Sequence, residues 1–157
     1  MRYFILANNE QNAMPRIMNW YTTVKPRFLY EMKRNELPRF FQLEMKLEND
    51  YVYTDIITNP FFLVSKEAAK IMHMYDKSIQ YIGTILHDKK RKINFTYFLP
   101  LLKKVTSLED VRDKVIFIWS KGIELHVVAR MDLIESMFER DAIGIKLIII
   151  EKEGKNL

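Results

Sequence analysis

The chain contains 157 residues, and we expect residues 1–157 to form a single domain because soluble domains commonly have roughly 100 to 200 residues. With 48% hydrophobic and 29% charged residues, the composition predicts a globular protein and excludes the disordered and fibrous classes. The formal net charge is +5, and the lack of cysteine excludes disulfides, thiol nucleophiles and thiolate metal sites.

The first 58 residues are the least regular part of the sequence. Residues 3–7 and 28–32 have the composition of strands, and NELP at 35–38 predicts a turn; no structure is predicted for most of the rest. The apolar start is too short for a signal peptide, and no stretch reaches the roughly 18 apolar residues of a membrane helix. We therefore expect a cytoplasmic protein that does not interact with membranes.

The pattern becomes clearer after Pro60. Residues 61–64 predict a buried strand, Ser65 is a candidate N-cap, and a helix is predicted at 66–75. The core-facing stripe of this helix consists of Ala68, Ile71, Met72 and Tyr75.

Two strand-like runs, residues 79–87 and 93–99, have the spacing of a β-hairpin with residues 88–92 as its loop. One face of the second strand is formed by Ile93, Phe95, Tyr97 and Leu99. The loop holds the densest positive charge of the chain, formed by Lys89, Lys90, Arg91 and Lys92. Such a cluster attracts phosphates or an acidic protein surface, although a solvated charged turn is the more ordinary interpretation.

The last third is the most regular. Residues 115–119 and 123–128 predict a second hairpin, and a helix is predicted at 132–140, with its core face formed by Leu133, Ile134, Met137 and Phe138. Residues 145–150 are apolar on both faces apart from Lys146, which predicts a strand covered on both sides. Together these elements predict an α+β fold, with a mainly antiparallel sheet and two main helices, at about 66–75 and 132–140, packed on it.

The two helical regions share a weak similarity. Residues 62–79 and 127–144 have the same order of strand, helix, aspartate and strand, with Asp76 and Asp141 in equivalent places. A helix between two strands often arises by chance, so the pattern alone does not establish an internal repeat.

No pattern typical of an active site is present. The three histidines, His73, His87 and His126, lack the i, i+4 spacing of a helical zinc site, and the glycines are too far apart for a phosphate-binding loop. His87 and Asp88 have the order of the His-Asp pair of metal-dependent phosphohydrolases, but that pair belongs on a helix and this one lies at the end of a strand. We therefore expect no catalytic residues, no metal, no cofactor and no enzymatic activity.

Three groups of residues are candidates for partner binding. The first is an acidic stripe on the outward face of the second helix, formed by Asp132, Glu135 and Glu139. Its functional interpretation is a site for a basic partner or a divalent cation, and its ordinary interpretation is a solvated helix face. Trp20 and Tyr21 are candidate aromatic anchors, with burial under the sheet as an equal alternative. The third group comprises Lys89, Lys90, Arg91 and Lys92.

A nucleic-acid-binding or regulatory function through the loop at 88–92 is the alternative to protein binding. It would combine the cations of the loop with neighbouring rings such as Phe95 and Tyr97. Because the alternation of those rings is typical of a core face, nucleic acid is the less favoured partner.

Several segments taken together resemble a bacterial family of small proteins regarded as immunity proteins of polymorphic toxin systems. They are NELP (35–38), PFFLVS (60–65), MYD (74–76), YFLPLL (97–102) and RDAIGIKL (140–147). The resemblance extends over roughly residues 28 to 150 in the same order. It implies a cytoplasmic α+β protein that binds and neutralises a cognate toxin domain and catalyses no reaction; it assigns no binding residues.

In one respect the chain departs from this pattern. Immunity proteins against nucleases are usually acidic, because they occupy a basic nucleic-acid cleft, whereas this chain has a pI near 9.3. The resemblance therefore implies either a toxin that is not a nuclease or a contact made through the acidic stripe alone.

Overall fold

The computed structural model describes residues 2–9, 13–20, 25–111, 113–152 and 155–156. They form an α+β fold in which the helices are α1 (Pro26–Leu29), α2 (Lys66–Tyr75) and α3 (Met131–Glu139). The strands are β1 (Tyr3–Asn8), β2 (Arg16–Met18), β3 (Phe40–Lys46), β4 (Ile56–Ile57), β5 (Leu63–Val64), β6 (Tyr81–Asp88), β7 (Ile93–Pro100), β8 (Lys104–Val105), β9 (Ile116–Lys121), β10 (Glu124–Arg130), β11 (Ile145–Ile149), β12 (Glu151–Lys152) and β13 (Lys155–Asn156). No helix within these ranges has the length and apolar character needed to cross a bilayer.

Two mostly antiparallel sheets make up the body of the fold. The larger sheet has the strand order β2-β3-β6-β7-β5-β4, and the predicted hairpin forms its centre as β6 and β7. The second sheet has the order β11-β1-β10-β9-β8, and its β9 and β10 are the second predicted hairpin. Strands β12 and β13 pair only with each other among the described residues.

Strand β1 lies inside the second sheet although it comes from the other end of the sequence. It is antiparallel to both neighbours, so that Leu6 is opposite Val127 of β10 and Leu147 of β11. The last residue of β1 also contacts the larger sheet, because the Asn8 side chain donates a 2.8 Å hydrogen bond to the carbonyl oxygen of Ile56. This strand therefore joins the two sheets.

The two sheets repeat one arrangement. In each, a hairpin leads into a helix and then a further strand, as β4-β5-α2-β6 and as β9-β10-α3-β11. In each, the strands on either side of the helix flank a third strand that is antiparallel to both, β7 in the larger sheet and β1 in the other. The shared order noted at residues 62–79 and 127–144 thus corresponds to a shared topology.

Helices α2 and α3 pack against each other within an apolar cluster that includes residues from both sheets. Helix α2 has the predicted bounds, and its predicted N-cap is confirmed because the hydroxyl oxygen of Ser65 accepts a hydrogen bond of 3.1 Å from the Ala68 amide. The hydroxyl group of Tyr75 donates to the carbonyl oxygen of Asp132 at 3.0 Å, which connects the two helices. A second apolar cluster covers the opposite face of the larger sheet, where the predicted face of β7 lies: Ile93, Phe95, Tyr97 and Leu99.

The strand expected at residues 28–32 is wrong. Helix α1 and a turn occupy this segment, and Pro26 lies in the first turn of the helix. The fixed φ angle of proline favours the start of a helix, and full burial of Leu29 holds the short helix against the second apolar cluster. Tertiary packing outweighs the strand-like composition here.

Two further expectations need correction. Strand β11 is an edge strand of the second sheet and is not covered on both sides: Ile148 and Ile149 are 40% and 65% exposed. Phe138, expected on the core face of α3, is 42% exposed, whereas Leu133, Ile134 and Met137 are buried. Phe138 lies at the border of the apolar stripe, where a small rotation of the helix turns a side chain to solvent.

Candidate functional site

A cleft of about 580 Å³ opens where the two sheets meet. Three segments form its walls: the first is Trp20 with residues 25–27 and Tyr30, the second is residues 58–60 with Phe62, and the third is the β9–β10 hairpin. A volume of this size accommodates a small ligand or several side chains of a partner protein. The cleft is therefore the candidate binding site of the described chain.

Aromatic and aliphatic side chains form the inner walls of the cleft. Tyr30, Phe62 and Leu125 belong to this lining. Trp20, which also lines the cleft, makes a T-shaped contact with the ring of Phe61 behind it, with centroids 6.2 Å apart. Burial raises the pKa of Tyr30 above its ordinary value, so the hydroxyl group remains neutral and adds no negative charge to the cleft.

The outer rim of the cleft carries positive charge. Lys25 and Arg27 flank Pro26 at the start of α1, and both are exposed. Arg27 stacks over the ring of Phe28, with its guanidinium carbon 4.6 Å from the ring centroid. Among the residues that the structure describes, neither cation is in an ion pair, and no aspartate or glutamate lines the cleft.

The β9–β10 hairpin presents an apolar side chain at the mouth of the cleft. Its turn consists of Gly122 and Ile123, and Gly122 has a φ angle of +63°, which favours glycine. Ile123 is 90% exposed. Beside the turn, the Nε2 atom of His126 is 3.2 Å from the carboxylate of Glu124, and Lys121 approaches the Trp119 ring. Because Ile123 also lines the cleft, its side chain makes the apolar surface of the cleft continuous with the hairpin turn, and a continuous apolar patch is typical of a contact with another protein.

The structure places the predicted basic loop at the turn between β6 and β7. Lys89 is 2.6 Å from a carboxylate oxygen of Glu44. Arg91 donates from Nε to the carbonyl oxygen of Leu47 at 3.3 Å and from its terminal nitrogen to Asn49. Lys90 and Lys92 are exposed. Two of the four cations are thus held by neighbours within the chain.

Asp88, just before this turn, stabilises the local backbone through its side chain. The residue is buried, and its carboxylate accepts 3.0 Å hydrogen bonds from the amides of Arg91 and Leu47. These hydrogen bonds, the one from Arg91 most strongly, lower the pKa of Asp88. The adjacent His87 contacts the side chain of Asn94.

The acidic stripe of α3 is divided. Asp132 forms a bidentate ion pair with Arg130, with distances of 2.7 and 2.9 Å. The hydrogen bonds from Arg130 lower the pKa of Asp132. Glu135 and Glu139 are exposed. Within the described residues, no group of three histidine, aspartate or glutamate side chains could hold a metal ion, and His73 is exposed on α2.

The three predicted groups do not form one surface. The acidic stripe belongs to α3, which contacts β10 of the second sheet, whereas the basic turn lies at one end of the larger sheet. Trp20 has an indirect link to the basic turn through Glu44, whose carboxylate contacts both Lys89 and Asn19, the neighbour of Trp20. Trp20 lines the cleft, while Tyr21 lies outside the described residues.

Three residues of the cleft, Lys25, Arg27 and Ile123, were not predicted from the sequence. A local signal existed in part: Pro26 is typical of a helix start, and a glycine between two strand-like runs predicts a tight turn. Their convergence on one cleft depends on the packing of the two sheets.

The chain matches no protein-family model, and no curated protein sequence matches it.

Proposed function

We propose that the chain is a non-enzymatic, cytoplasmic protein-binding module, an immunity protein that binds and neutralises a cognate toxin domain. The observation that carries the proposal is Ile123, which is 90% exposed on a hairpin turn at the mouth of the cleft. Removal of an aliphatic side chain from water lowers the free energy of a complex. The adjacent aromatic walls offer further area for a protein contact.

The resemblance of five segments to bacterial immunity proteins supports the same proposal, and it specifies the partner as a toxin domain. A neutralising protein acts by covering its target, so it requires a stable interface and no chemistry of its own. Stable interfaces bury about 800 Å² on each partner, which requires contacts beyond the cleft on the neighbouring strands and loops.

In the first step, a tagged form of the chain captures its partner from the native cell lysate at physiological salt, and a nuclease-treated lysate is the control. Mass spectrometry then identifies the bound protein. The captured protein is then produced alone and together with the chain in a bacterial host. We expect the captured protein to stop growth when alone and growth to return when the chain is present.

Two variants connect this result to the cleft. Ile123→Ser should weaken the complex, whereas Ile149→Ser, an equal change at a 65% exposed position on β11, should leave it intact. A captured protein that does not impair growth, or capture of nucleic acid alone, would contradict the proposed function.

A further inference from the structure

We infer that the cleft receives an acidic segment of the partner protein, in which an aspartate or glutamate lies next to a bulky apolar side chain. The inference rests on the proposed function and adds the chemistry of the segment that the cleft recognises. It draws on the charges of the rim, the character of the walls and the position of the hairpin turn.

The charge of the rim is the first observation. Some cations elsewhere in the described chain are paired with carboxylates: Lys104 is 2.6 Å from Glu31, and Arg130 is 2.7 Å from Asp132. Lys25 and Arg27 have no such partner in the described ranges, and the cleft below them is lined by no acidic side chain. Glu124 contacts His126 but is not part of the lining. A carboxylate entering the cleft would therefore meet two uncompensated cations.

The position of these cations favours a carboxylate group. Pro26 lies between them in the first turn of α1, and its ring fixes the φ angle of the backbone at that position. Arg27 is already oriented by its contact with the Phe28 ring. A guanidinium group that is held in place forms two parallel hydrogen bonds to a carboxylate at a smaller entropic cost than a free side chain.

The walls of the cleft define the second half of the recognised segment. Tyr30, Phe62 and Leu125 offer aromatic and aliphatic area below the charged rim. A purely acidic ligand would leave this area in contact with water, whereas a leucine or aromatic side chain would cover it. The exposed Ile123 extends the apolar surface beyond the mouth, which suits a protein surface better than a nucleic acid strand, whose outer surface is charged phosphate.

The test uses defined probes. They are synthetic hexapeptides with glutamates on both sides of a single leucine, phenylalanine, tyrosine or tryptophan, each matched by a peptide with glutamine in place of glutamate. Binding is followed by nuclear magnetic resonance of the ¹⁵N-labelled chain. We expect at least one acidic peptide to shift the amide signals of Arg27, Phe62 and Leu125, with an affinity that falls as salt is added.

Charge reversal provides the matched variants. Lys25→Glu and Arg27→Glu should each weaken peptide binding by about tenfold or more, whereas Lys70→Glu, the same change on the exposed face of α2, should leave it unchanged. All three positions are exposed, and unchanged melting temperatures would show that each variant remains folded.

Several results would overturn the inference. They are the absence of any shift at millimolar peptide, equal binding of the glutamine peptides, an equal loss in Lys70→Glu, and tighter binding of a single-stranded DNA hexamer through the same residues. The two proposals can fail separately. If a toxin is captured but Arg27→Glu leaves its affinity unchanged, the cleft assignment fails and the proposed function stands. If acidic peptides bind through Arg27 but no toxin is found, the proposed function fails and the cleft assignment stands.

Discussion

The carboxylate of Asp55 accepts a 2.6 Å hydrogen bond from the hydroxyl group of Ser65, the residue that caps helix α2. The second oxygen of Asp55 accepts a 2.7 Å hydrogen bond from the amide of Ile143, and the Asp55 amide donates to the Ile143 carbonyl oxygen at 2.8 Å. One side chain thus connects the start of α2 to the segment between α3 and β11. It thereby links the two repeated units, β4-β5-α2-β6 and β9-β10-α3-β11.

Replacement of Asp55 by alanine should lower the free energy of unfolding by about 2 to 4 kcal/mol, because two hydrogen bonds to a charged group are lost together and the Ser65 hydroxyl loses its acceptor. Urea denaturation measures the change. Asp50→Ala, in an exposed turn, is the control and should shift the midpoint little. Equal midpoints for the two variants would show that Asp55 does not connect the units energetically.

Gly144 should not tolerate a side chain. Its φ angle is +89°, and an added Cβ atom would lie 2.7 Å from the Cβ and Cγ2 atoms of Thr54. We expect Gly144→Ala to cost about 2 to 4 kcal/mol through backbone strain and overpacking. Gly83→Ala is the matched change: its Cβ meets no atom within 4 Å, and a strand interior gains stability when glycine is replaced. A Gly83 variant as unstable as the Gly144 variant would show that neither the φ angle nor the contact with Thr54 determines the cost.

Asp88 should make stability depend on pH in a defined direction. Its folded-state pKa lies below the ordinary value of 3.8, so its stabilising contribution is complete above that value and is lost as the pH falls through the folded-state pKa. Asp88→Asn should therefore be less stable than the parent chain at neutral pH, and the two should converge at acidic pH. Urea midpoints measured from pH 7 down to about pH 2 test this; a constant gap over the whole range would exclude it.

Arg91 and Lys90 should differ although they are neighbours in the same basic turn. Arg91 holds the turn against Leu47 and Asn49, so Arg91→Ala should cost about 1 to 2 kcal/mol. Lys90 is exposed, and Lys90→Ala should change stability by less than about 0.5 kcal/mol. Thermal unfolding of both variants decides between a structural arginine and a turn of four equivalent cations.

Local signals account for the parts of the fold that the sequence predicted well. Helix α2 combines a serine cap with an apolar stripe of helical period, and β7 alternates between apolar and polar residues from Ile93 to Tyr97. Both patterns depend only on neighbouring residues. The bounds of α2 follow from them, as does the buried face of β7.

The remaining features depend on residues that are distant in the sequence. The composition of residues 28–32 fits a strand; Pro26 favours a helix start just before them, and burial of Leu29 in the second apolar cluster holds the helix in place. Exposure of Ile149 follows from the position of β11 at a sheet edge, which no segment of sequence specifies alone. The cleft brings together residues near positions 27, 62 and 125. These residues are far apart in the sequence, so their proximity in the folded chain cannot be predicted from local patterns.

The position of β1 also sets the order in which the molecule can be completed. This strand is synthesised before both of its neighbours, β10 and β11, which follow all strands of the larger sheet in the chain. The larger sheet has all of its strands once residue 100 has emerged, and it can form while synthesis continues. The second sheet cannot close until β11 is available, so the apolar residues of β1 lack part of their native partners until that point. During that interval the nascent chain exposes a strand that is able to pair with other chains, and chaperone binding to β1 would protect it.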